Sequence, residues 1–307
     1  DVAGKIRKGQ VGGLFNVKGV ENIREVQKIA VEQSRLKIPL LFGMDVIHGY
    51  ETVFPIPLAL SCSWDMEAIK ESACIAAKES SADGICWTFS PMVDICRDPR
   101  WGRMAEGGGE DPYLGSEISA AMVKGYQGDD LTDKNTIMAC VKHFAAYGAS
   151  ESGKDYNTTW IPTELLHDVY LPPFEAGAHA GAATFMCSFN DINGVPSSGN
   201  AYLLRTVLRD KWNWDGLMVS DWGSIQQMIP HGFSADLRQA ASQAAHAGVD
   251  MDMEGYAYIG HLKDLVEKGE LDVAVIDGMV RNVLRLKYRL GLFENPYVDL
   301  ATSKRFY

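Results

Sequence analysis

Short apolar runs alternate with helical stretches along the whole of this 307-residue chain. Seven runs have the length and composition of strands, and they occupy residues 11–17, 40–46, 86–93, 138–144, 184–189, 217–222 and 249–253. Their apolar residues are continuous rather than alternating, which is typical of strands buried on both faces. Buried strands separated by helices predict an α/β fold built on a parallel sheet.

Six further stretches have the apolar spacing of amphipathic helices, at residues 66–82, 116–125, 163–180, 202–211, 235–247 and 272–290. The pattern fits a (β/α)8 TIM-type barrel, which needs one strand more than the seven identified. An early strand before Asp1, one irregular strand or an incomplete barrel would each account for the difference. A doubly wound open sheet is the alternative. That fold usually carries a Gly-rich phosphate loop after its first strand, and residues 11–16 (VGGLFN) contain no G-x-G-x-x-G, so the barrel is favoured.

The composition argues against several classes of partner and cofactor. The formal net charge is −11 and no basic stripe is present, so a nucleic-acid partner is not expected. No run of 18 apolar residues predicts a membrane span. No cofactor motif and no His or Cys spacing of a metal site occurs. The six cysteines lie mostly in apolar runs and are interpreted as buried free thiols; they are Cys62, Cys74, Cys86, Cys96, Cys140 and Cys187.

Polar residues follow six of the predicted strands, at the ends where an α/β barrel places its active site. They are Asp45, Asp94, Lys142, His143, Asn190, Asp221, Trp222, Asp252 and Glu254. Carboxylates and basic side chains together bind vicinal hydroxyls as acceptors and donors, and an adjacent indole offers a flat face to a pyranose ring. The set predicts a sugar site, and no Gly-x-Ser-x-Gly elbow or phosphate loop competes with that prediction.

Each of these residues also has a purely structural interpretation. Asp221 and Asp45 could cap the helices that follow them. Lys142 could form an ion pair with a barrel carboxylate, and His143 could be a buried histidine whose hydrogen bonds are satisfied. For four other residues the sequence favours neither a structural nor a functional role. They are Arg103, Glu106, Asp252 and Glu254.

Nine segments along the chain carry a more specific signal. They are residues 43–49 (GMDVIHG), 54–57 (FPIP), 87–95 (WTFSPMVDI), 97–103 (RDPRWGR), 106–114 (EGGGEDPYL), 142–144 (KHF), 155–157 (DYN), 193–196 (NGVP) and 219–223 (VSDWG). In this order they resemble family 3 glycoside hydrolases, and within that family the bacterial periplasmic β-glucosidases. The resemblance runs over nearly the whole chain.

The resemblance implies a barrel domain in which Asp221 attacks the anomeric carbon of a terminal β-glucosyl unit. It implies exo action through a covalent glycosyl-enzyme, with retention of configuration. Roles in sugar binding are implied for five residues, Asp45, Arg103, Lys142, His143 and Trp222. The charges of Lys142 and Arg103 are expected to keep Asp221 ionised at neutral pH.

Two departures from the family pattern matter. Phe189 stands where relatives often have a Tyr, so a hydroxyl near the nucleophile is missing. The family's general acid/base is a Glu of a second α/β domain, so residues 1–293 are expected to form the barrel and residues 294–307 the start of a linker to that domain. Residues 145–148 (AAYG) lack the His of the family's β-N-acetylhexosaminidases, so that activity is not expected. A periplasmic or secreted location is implied by resemblance only.

Two other functions remain open from the residues. The same strand ends would suit a sugar-binding module with little or no turnover. Alternatively, Lys142 could form a Schiff base in a barrel lyase or aldolase, although its neighbour His143 does not provide the apolar pocket that lowers the pKa of such a lysine.

Overall fold

A computed structural model describes residues 1–304 of the chain. Six of its strands pair in parallel within two sheets, which are β1 (Gly13–Phe15), β2 (Leu41–Met44) and β3 (Trp87–Thr88), then β4 (Cys140–Phe144), β5 (Thr184–Cys187) and β8 (Leu217–Val219). A short antiparallel hairpin, β6 (Asp191–Ile192) and β7 (Val195–Pro196), follows β5. The α/β prediction with parallel strands is confirmed.

Isolated parallel bridges join these pieces into one series. Trp87 pairs with Met138 between the two sheets, and Val219 pairs with Met251 in the last predicted run. The seven predicted strand regions therefore lie side by side in chain order. Among residues 1–304 no ladder joins β1 to the run around Met251, so the strands form an open series and not a closed ring of eight.

The helices lie mostly between successive strands, as the sequence predicts. The α-helices are α1 (Val2–Arg7), α2 (Val20–Lys28), α3 (Pro57–Ser61), α4 (Met66–Asp83), α5 (Pro112–Gln127), α6 (Thr163–Leu165), α7 (Pro172–His179), α8 (Ser224–Gln227), α9 (Leu237–Ala247), α10 (Ala257–Glu267), α11 (Val273–Arg289) and α12 (Leu300–Ser303). Three π-helical segments are Ile29–Gln33, Leu166–Tyr170 and Tyr202–Lys211. The predicted helix 163–180 is divided into three parts, and α2 and α10 were not predicted.

The longest helix, α4, shows how local sequence sets element ends. The Asp65 carboxylate accepts a hydrogen bond from the Ala68 N–H and satisfies a free donor at its start. Gly84 ends it in the left-handed region, with φ of 104°. A Cβ at Gly84 would lie 2.8 Å from Ile23, so glycine is required there for close packing as well as for the turn.

Two apolar layers enclose the strands. One cluster, which includes Trp87, Met138 and Val219 from three strands, also contains Leu286 of α11. A larger cluster packs the outer side chains of the strands against α4, α5, α7 and α9. Lys287 of α11 donates to the Gly12 carbonyl at 2.9 Å, so α11 lies beside the start of β1.

The segment predicted as the start of a linker, 294–307, lies against α2 where it is described. Tyr297 donates to Glu32 at 2.9 Å, and Arg24 donates to the Val298 carbonyl at 2.7 Å. Residues 305–307 lie outside the described residues, and the linker stays a prediction. In the described part of the chain no helix is both long enough and apolar enough to cross a membrane.

Candidate active site

The residues predicted to form the site meet where the strands end. Asp45 follows β2, Lys142 and His143 lie in β4, and Asp221 comes two residues after β8. Arg103 reaches the same place from the loop after β3. Parallel strands in chain order present their carboxyl ends at one edge, and this arrangement gathers side chains that are distant in sequence.

Lys142 and Asp45 form an ion pair between neighbouring elements. The Lys142 Nζ lies 3.0 Å from the Asp45 Oδ1. The lysine side chain is 4% exposed and the aspartate side chain is 52% exposed. Asp45 therefore remains open to a ligand, while Lys142 has a partner that stabilises its charged form. An ammonium group held in this way does not favour the amine nucleophile of a Schiff-base enzyme.

His143 is fully enclosed between Asp94 and Arg103. Its Nδ1 lies 2.8 Å from the Asp94 Oδ2, and its Nε2 lies 3.0 Å from the Arg103 Nη2. Burial lowers the pKa of His143 well below its ordinary value, and the charges of Arg103 and Lys142 lower it further. The imidazole is therefore neutral.

Arg103 donates two hydrogen bonds to one carboxylate. Its Nε lies 2.7 Å from the Glu106 Oε1 and its Nη2 lies 2.9 Å from the Oε2. Burial acts to lower the pKa of Arg103, but the Glu106 carboxylate outweighs it and raises the pKa above the usual value. A bidentate pair of this kind fixes the guanidinium plane as well as its charge.

Asp221 is a buried carboxylate, 8% exposed, with unequal oxygens. Its Oδ1 accepts a hydrogen bond from the Trp222 N–H at 2.6 Å. Its Oδ2 is buried, 3.5 Å from the His143 Nε2, and has no hydrogen-bond partner. Burial raises the pKa of Asp221 to about 6, against the opposing effects of the Trp222 N–H, Lys142 and Arg103. Asp221 is thus mainly ionised at neutral pH. The charges of Lys142 and Arg103 favour that state but do not outweigh burial, whose effect the sequence analysis did not include.

Trp222 differs from the other five predicted residues. Trp222 is 56% exposed, and it contacts Asp221 through its backbone N–H and not through its indole. Gly223 follows in the left-handed region, with φ of 69°, and starts the short helix α8. The indole therefore stands at the rim of the site.

Five further residues surround the predicted ones: Asp94, Glu106, Trp101, Tyr147 and Asp155. Asp94 and Glu106 hold His143 and Arg103, as described above. The Tyr147 hydroxyl and the Trp101 Nε1 both donate to the Asp155 Oδ1, and the Tyr147 ring lies 5.4 Å from the His143 ring. Asp94 followed an apolar run and so carried a sequence signal, whereas Tyr147 carried none.

Other polar strand ends have structural roles. The Asp252 Oδ2 accepts from the Ala257 N–H at 2.8 Å, at the start of α10, so the structural interpretation of Asp252 is favoured. Phe189 packs edge-on against Tyr156 with ring centroids 4.9 Å apart.

The arrangement combines one ionised, poorly hydrogen-bonded carboxylate with several groups that bind hydroxyls. Asp45 accepts hydrogen bonds, and Lys142 and Arg103 donate them. Within residues 1–304, no group of three or more His, Cys, Asp or Glu side chains is placed to hold a metal ion. These groups suit nucleophilic attack on a bound polyol or sugar.

Known β-glucosidases are similar to this chain over nearly its whole length. A periplasmic β-glucosidase from Salmonella typhimurium is 45% identical over 97% of this chain and 39% of its own length. A lysosomal β-glucosidase from Dictyostelium discoideum is 36% identical over 94% of this chain. The chain spans about two fifths of the length of the relatives that it matches.

Solved structures give the same result. A β-glucosidase from Listeria innocua, solved in complex with glucose, has a TM-score of 0.93 and 46% identity, covering 95% of this chain and 41% of its own. A β-glucosidase involved in saponin metabolism in intestinal bacteria has a TM-score of 0.95 and 38% identity, covering 99% and 41%. Residues 1–286 match the family described as the glycosyl hydrolase family 3 N terminal domain, and the chain therefore belongs to glycosyl hydrolase family 3.

Proposed function

We propose that this chain carries the nucleophile and the sugar pocket of a retaining, exo-acting glycoside hydrolase that releases terminal β-D-glucosyl residues. The observation that carries the proposal is the position of Asp221. It is an ionisable carboxylate at a strand end, within 3.5 Å of His143 and beside the charges of Lys142 and Arg103.

The proposed reaction has two displacements. The Asp221 carboxylate attacks the anomeric carbon, the glycosidic bond breaks, and the leaving oxygen takes a proton from a general acid. Water then attacks the same carbon, loses a proton to the same group acting as a base, and releases Asp221. Two inversions give retention. A pKa of about 6 makes Asp221 more basic than an ordinary aspartate while leaving it ionised at neutral pH.

The remaining predicted residues are proposed to bind the sugar. Asp45 is the half-exposed acceptor of the pocket, and Lys142 is positioned beside it as a donor. Arg103 and His143 provide polar groups on the side of Asp221, and the exposed Trp222 indole provides an apolar face at the rim. A small pocket with paired donors and acceptors favours one terminal sugar over an internal one.

We propose that the general acid/base belongs to a second α/β domain of the same enzyme, joined through residues 294–307. The relatives' greater length and the open carboxyl end of the strands support this. In a retaining enzyme its carboxyl group lies about 5–5.5 Å from that of the nucleophile. We also propose that the strand series is a TIM-type barrel that lacks regular closure, and that the location is periplasmic, as the Salmonella typhimurium relative's name suggests.

Glucose is the proposed sugar because the Listeria innocua relative was solved with it. Xylose is the competing pentose, since a putative β-xylosidase from Formosa agariphila is 36% identical over 92% of this chain. Comparison of 4-nitrophenyl β-glucoside and β-xyloside as substrates distinguishes them.

Substitution Asp221→Ala with azide rescue tests the proposal. The substrate is 2,4-dinitrophenyl β-glucoside, whose acidic leaving group needs little protonation, so the first displacement proceeds without a general acid and is measured as the initial release of dinitrophenol. The rate of this release is expected to fall by at least about 10⁴-fold. Azide should restore it and give the α-glucosyl azide, because azide replaces the nucleophile in a single displacement.

Asp252→Ala is the matched control, because Asp252 lies at the next strand end and caps a helix. Turnover that survives Asp221→Ala would refute the assignment. Glucose binding by the wild-type chain with no release of 2,4-dinitrophenol would favour the sugar-binding module.

A further inference from the structure

One buried atom in the site lacks the hydrogen bond that its surroundings would normally provide. The Asp221 Oδ2 is buried without a partner, although a ring nitrogen of His143 lies 3.5 Å away. Buried carboxylate oxygens usually have a donor, so an unpaired one requires an explanation. The explanation depends on which nitrogen of His143 carries the proton.

The Asp94 side chain, which is fully buried, accepts two backbone hydrogen bonds and contacts one ring nitrogen of His143. Its Oδ2 accepts from the His143 backbone N–H at 3.0 Å and contacts the ring Nδ1 at 2.8 Å. Its Oδ1 accepts from the Tyr147 N–H at 3.3 Å. Burial raises the pKa of Asp94 to about 7, and the N–H donors and Arg103 oppose that rise. A carboxylate surrounded by N–H donors favours a proton on the Nδ1 that faces it.

Arg103 imposes the same state from the other side of the ring. Its Nη2 lies 3.0 Å from the His143 Nε2. A guanidinium group only donates hydrogen bonds, so the Nε2 has to accept. The low pKa of His143 excludes the imidazolium at neutral pH. The neutral ring therefore has a proton on Nδ1 and a lone pair on Nε2.

We propose that Asp94 is a positioning residue that fixes His143 in the Nδ1–H tautomer and so withholds a hydrogen bond from Asp221. In this tautomer the Nε2 lone pair faces the Asp221 Oδ2 and binds Arg103 instead. A proton on Nε2 would donate to Asp221, make it less basic and weaken its attack. The consequence for turnover rests on the proposed function, but the tautomer itself does not.

The charged groups around the ring support one state. Asp94 faces Nδ1, and Arg103 and Asp221 face Nε2. Lys142 precedes His143 in β4 and acts on the ring only through its charge. The Asp94 Oδ2 lies 2.8 Å from Nδ1, whereas the Asp221 Oδ2 lies 3.5 Å from Nε2, and the closer group at Nε2 is the donor Arg103 at 3.0 Å.

The test is ¹⁵N NMR of the wild-type chain labelled at histidine. One-bond ¹H–¹⁵N couplings report which ring nitrogens carry protons, and His143→Gln identifies the signal of His143 among the seven histidines. At pH 8.5, where Asp94 with its pKa of about 7 is ionised, the proposal predicts a proton on Nδ1 and none on Nε2. A proton on Nε2, alone or together with one on Nδ1, overturns it. The proton positions are read on the wild-type chain, and the variant serves only to assign the His143 signal.

Substitution Asp94→Asn then tests the role of the carboxylate. Asparagine offers one acceptor oxygen to three donors, so an Nε2–H signal is expected to appear. A new donor to Asp221 lowers its pKa, so the acid limb of kcat/KM moves to lower pH while kcat/KM falls about tenfold to hundredfold. Asp98→Asn, at a surface Asp98–Arg100 pair, should change neither.

The outcomes separate this proposal from the proposed function. An unchanged proton position and rate in Asp94→Asn would contradict the positioning role. If the wild-type chain has the expected tautomer but no glycosidase activity, the positioning of His143 stands and the proposed function fails.

Discussion

Two buried lysines at opposite ends of the strands have different partners for the same charge. Lys142, 3% exposed, lies at the carboxyl ends and pairs with the Asp45 carboxylate at 3.0 Å. Lys287, 2% exposed, lies near the start of β1 and donates to a neutral carbonyl, that of Gly12, at 2.9 Å. Burial lowers the pKa of Lys287 to about 8. A buried lysine by itself therefore does not mark a site; its charged partners do.

A large cavity by itself does not mark the site either. A cavity of about 1010 Å³ lies at the amino end, between the starts of β2 and β3, the loop before β4 and the segment after α11. It contains none of the predicted site residues. The carboxyl end is instead marked by charges placed against each other, and we assign the chemistry to that end.

Replacement of each lysine by methionine is the strongest test of the comparison. Lys142→Met removes a donor from the proposed sugar pocket, so kcat/KM for 2,4-dinitrophenyl β-glucoside should fall about 10²-fold. Lys287→Met should leave it within about twofold, because Lys287 lies at the far end. Equal losses in the two variants would indicate that both act through the fold.

The pH profile sharpens the comparison. Asp221, with a pKa raised to about 6, has to be ionised to attack, so kcat/KM should fall below pH 6 in the wild type. Lys142 lowers the pKa of Asp221, so Lys142→Met should move this limb to higher pH, by up to about one unit. Lys287→Met should not move it, and a limb at the same pH in both variants would assign the titration to another group.

In stability, unlike in activity, Lys287→Met is expected to have a larger effect than Lys142→Met. The pKa of Lys287 is lower folded, about 8, than unfolded, about 10.4, so its burial costs stability at all pH values below 8. The cost, about 3 kcal/mol, declines as pH rises from 8 to above 10. Lys287→Met should therefore be more stable than the wild type at pH 7 and lose that advantage near pH 10.

The substitution leaves few unsatisfied groups behind. The Gly12 carbonyl still accepts from the Leu41 N–H at 3.2 Å. Lys142→Met should show no comparable gain, because Asp45 already stabilises the Lys142 charge. Lys263→Met, whose side chain is 86% exposed in the wild type, controls for the change of residue type. Denaturant unfolding of Lys287→Met with no gain at pH 7 would contradict this interpretation.

The smallest effect is expected at the rim. Trp222→Ala removes an exposed indole beside the nucleophile, and a lost stacking contact should raise KM for a glucosyl disaccharide about threefold to tenfold, with kcat less affected. Tyr288→Ala, at an exposed aromatic residue lining the far cavity, is the matched control. If KM rose more in Tyr288→Ala than in Trp222→Ala, the disaccharide would have to bind near the far cavity and not near Asp221.

Sequence reasoning identified the strand order and the clustered side chains because both follow from simple periodicity. The runs ending in Asp45, Lys142 and Asp221 are long and apolar, and parallel strands bring their ends together. Helix α2 was not predicted, because most of its residues are polar even though its apolar residues form a regular stripe. The relation between the two ends of the strand series could not be predicted, because the packing of α11 beside β1 involves residues 275 apart, as the contact between Lys287 and Gly12 shows.

The hydrogen bonds and pKa values of the site could not be predicted from the sequence either. The hydrogen bonds from the residues around Asp94 depend on the backbone path between His143 and Tyr147, including cis peptide bonds before His143 and Ala145. The net pKa of Asp221 depends on how burial and three opposing groups balance, and only coordinates give that balance. Charged residue types alone predicted the signs of the Lys142 and Arg103 effects and missed the larger contribution of burial.

The most direct measurement for the whole account is covalent trapping. A 2-deoxy-2-fluoro-β-glucoside with a 2,4-dinitrophenolate leaving group forms a slow-turnover ester with a retaining nucleophile, and peptide mass spectrometry locates it. One label is expected, on the carboxylate of Asp221, and it should form faster at pH 7 than at pH 5. A label on any other residue, or release of dinitrophenol with no label, would contradict it.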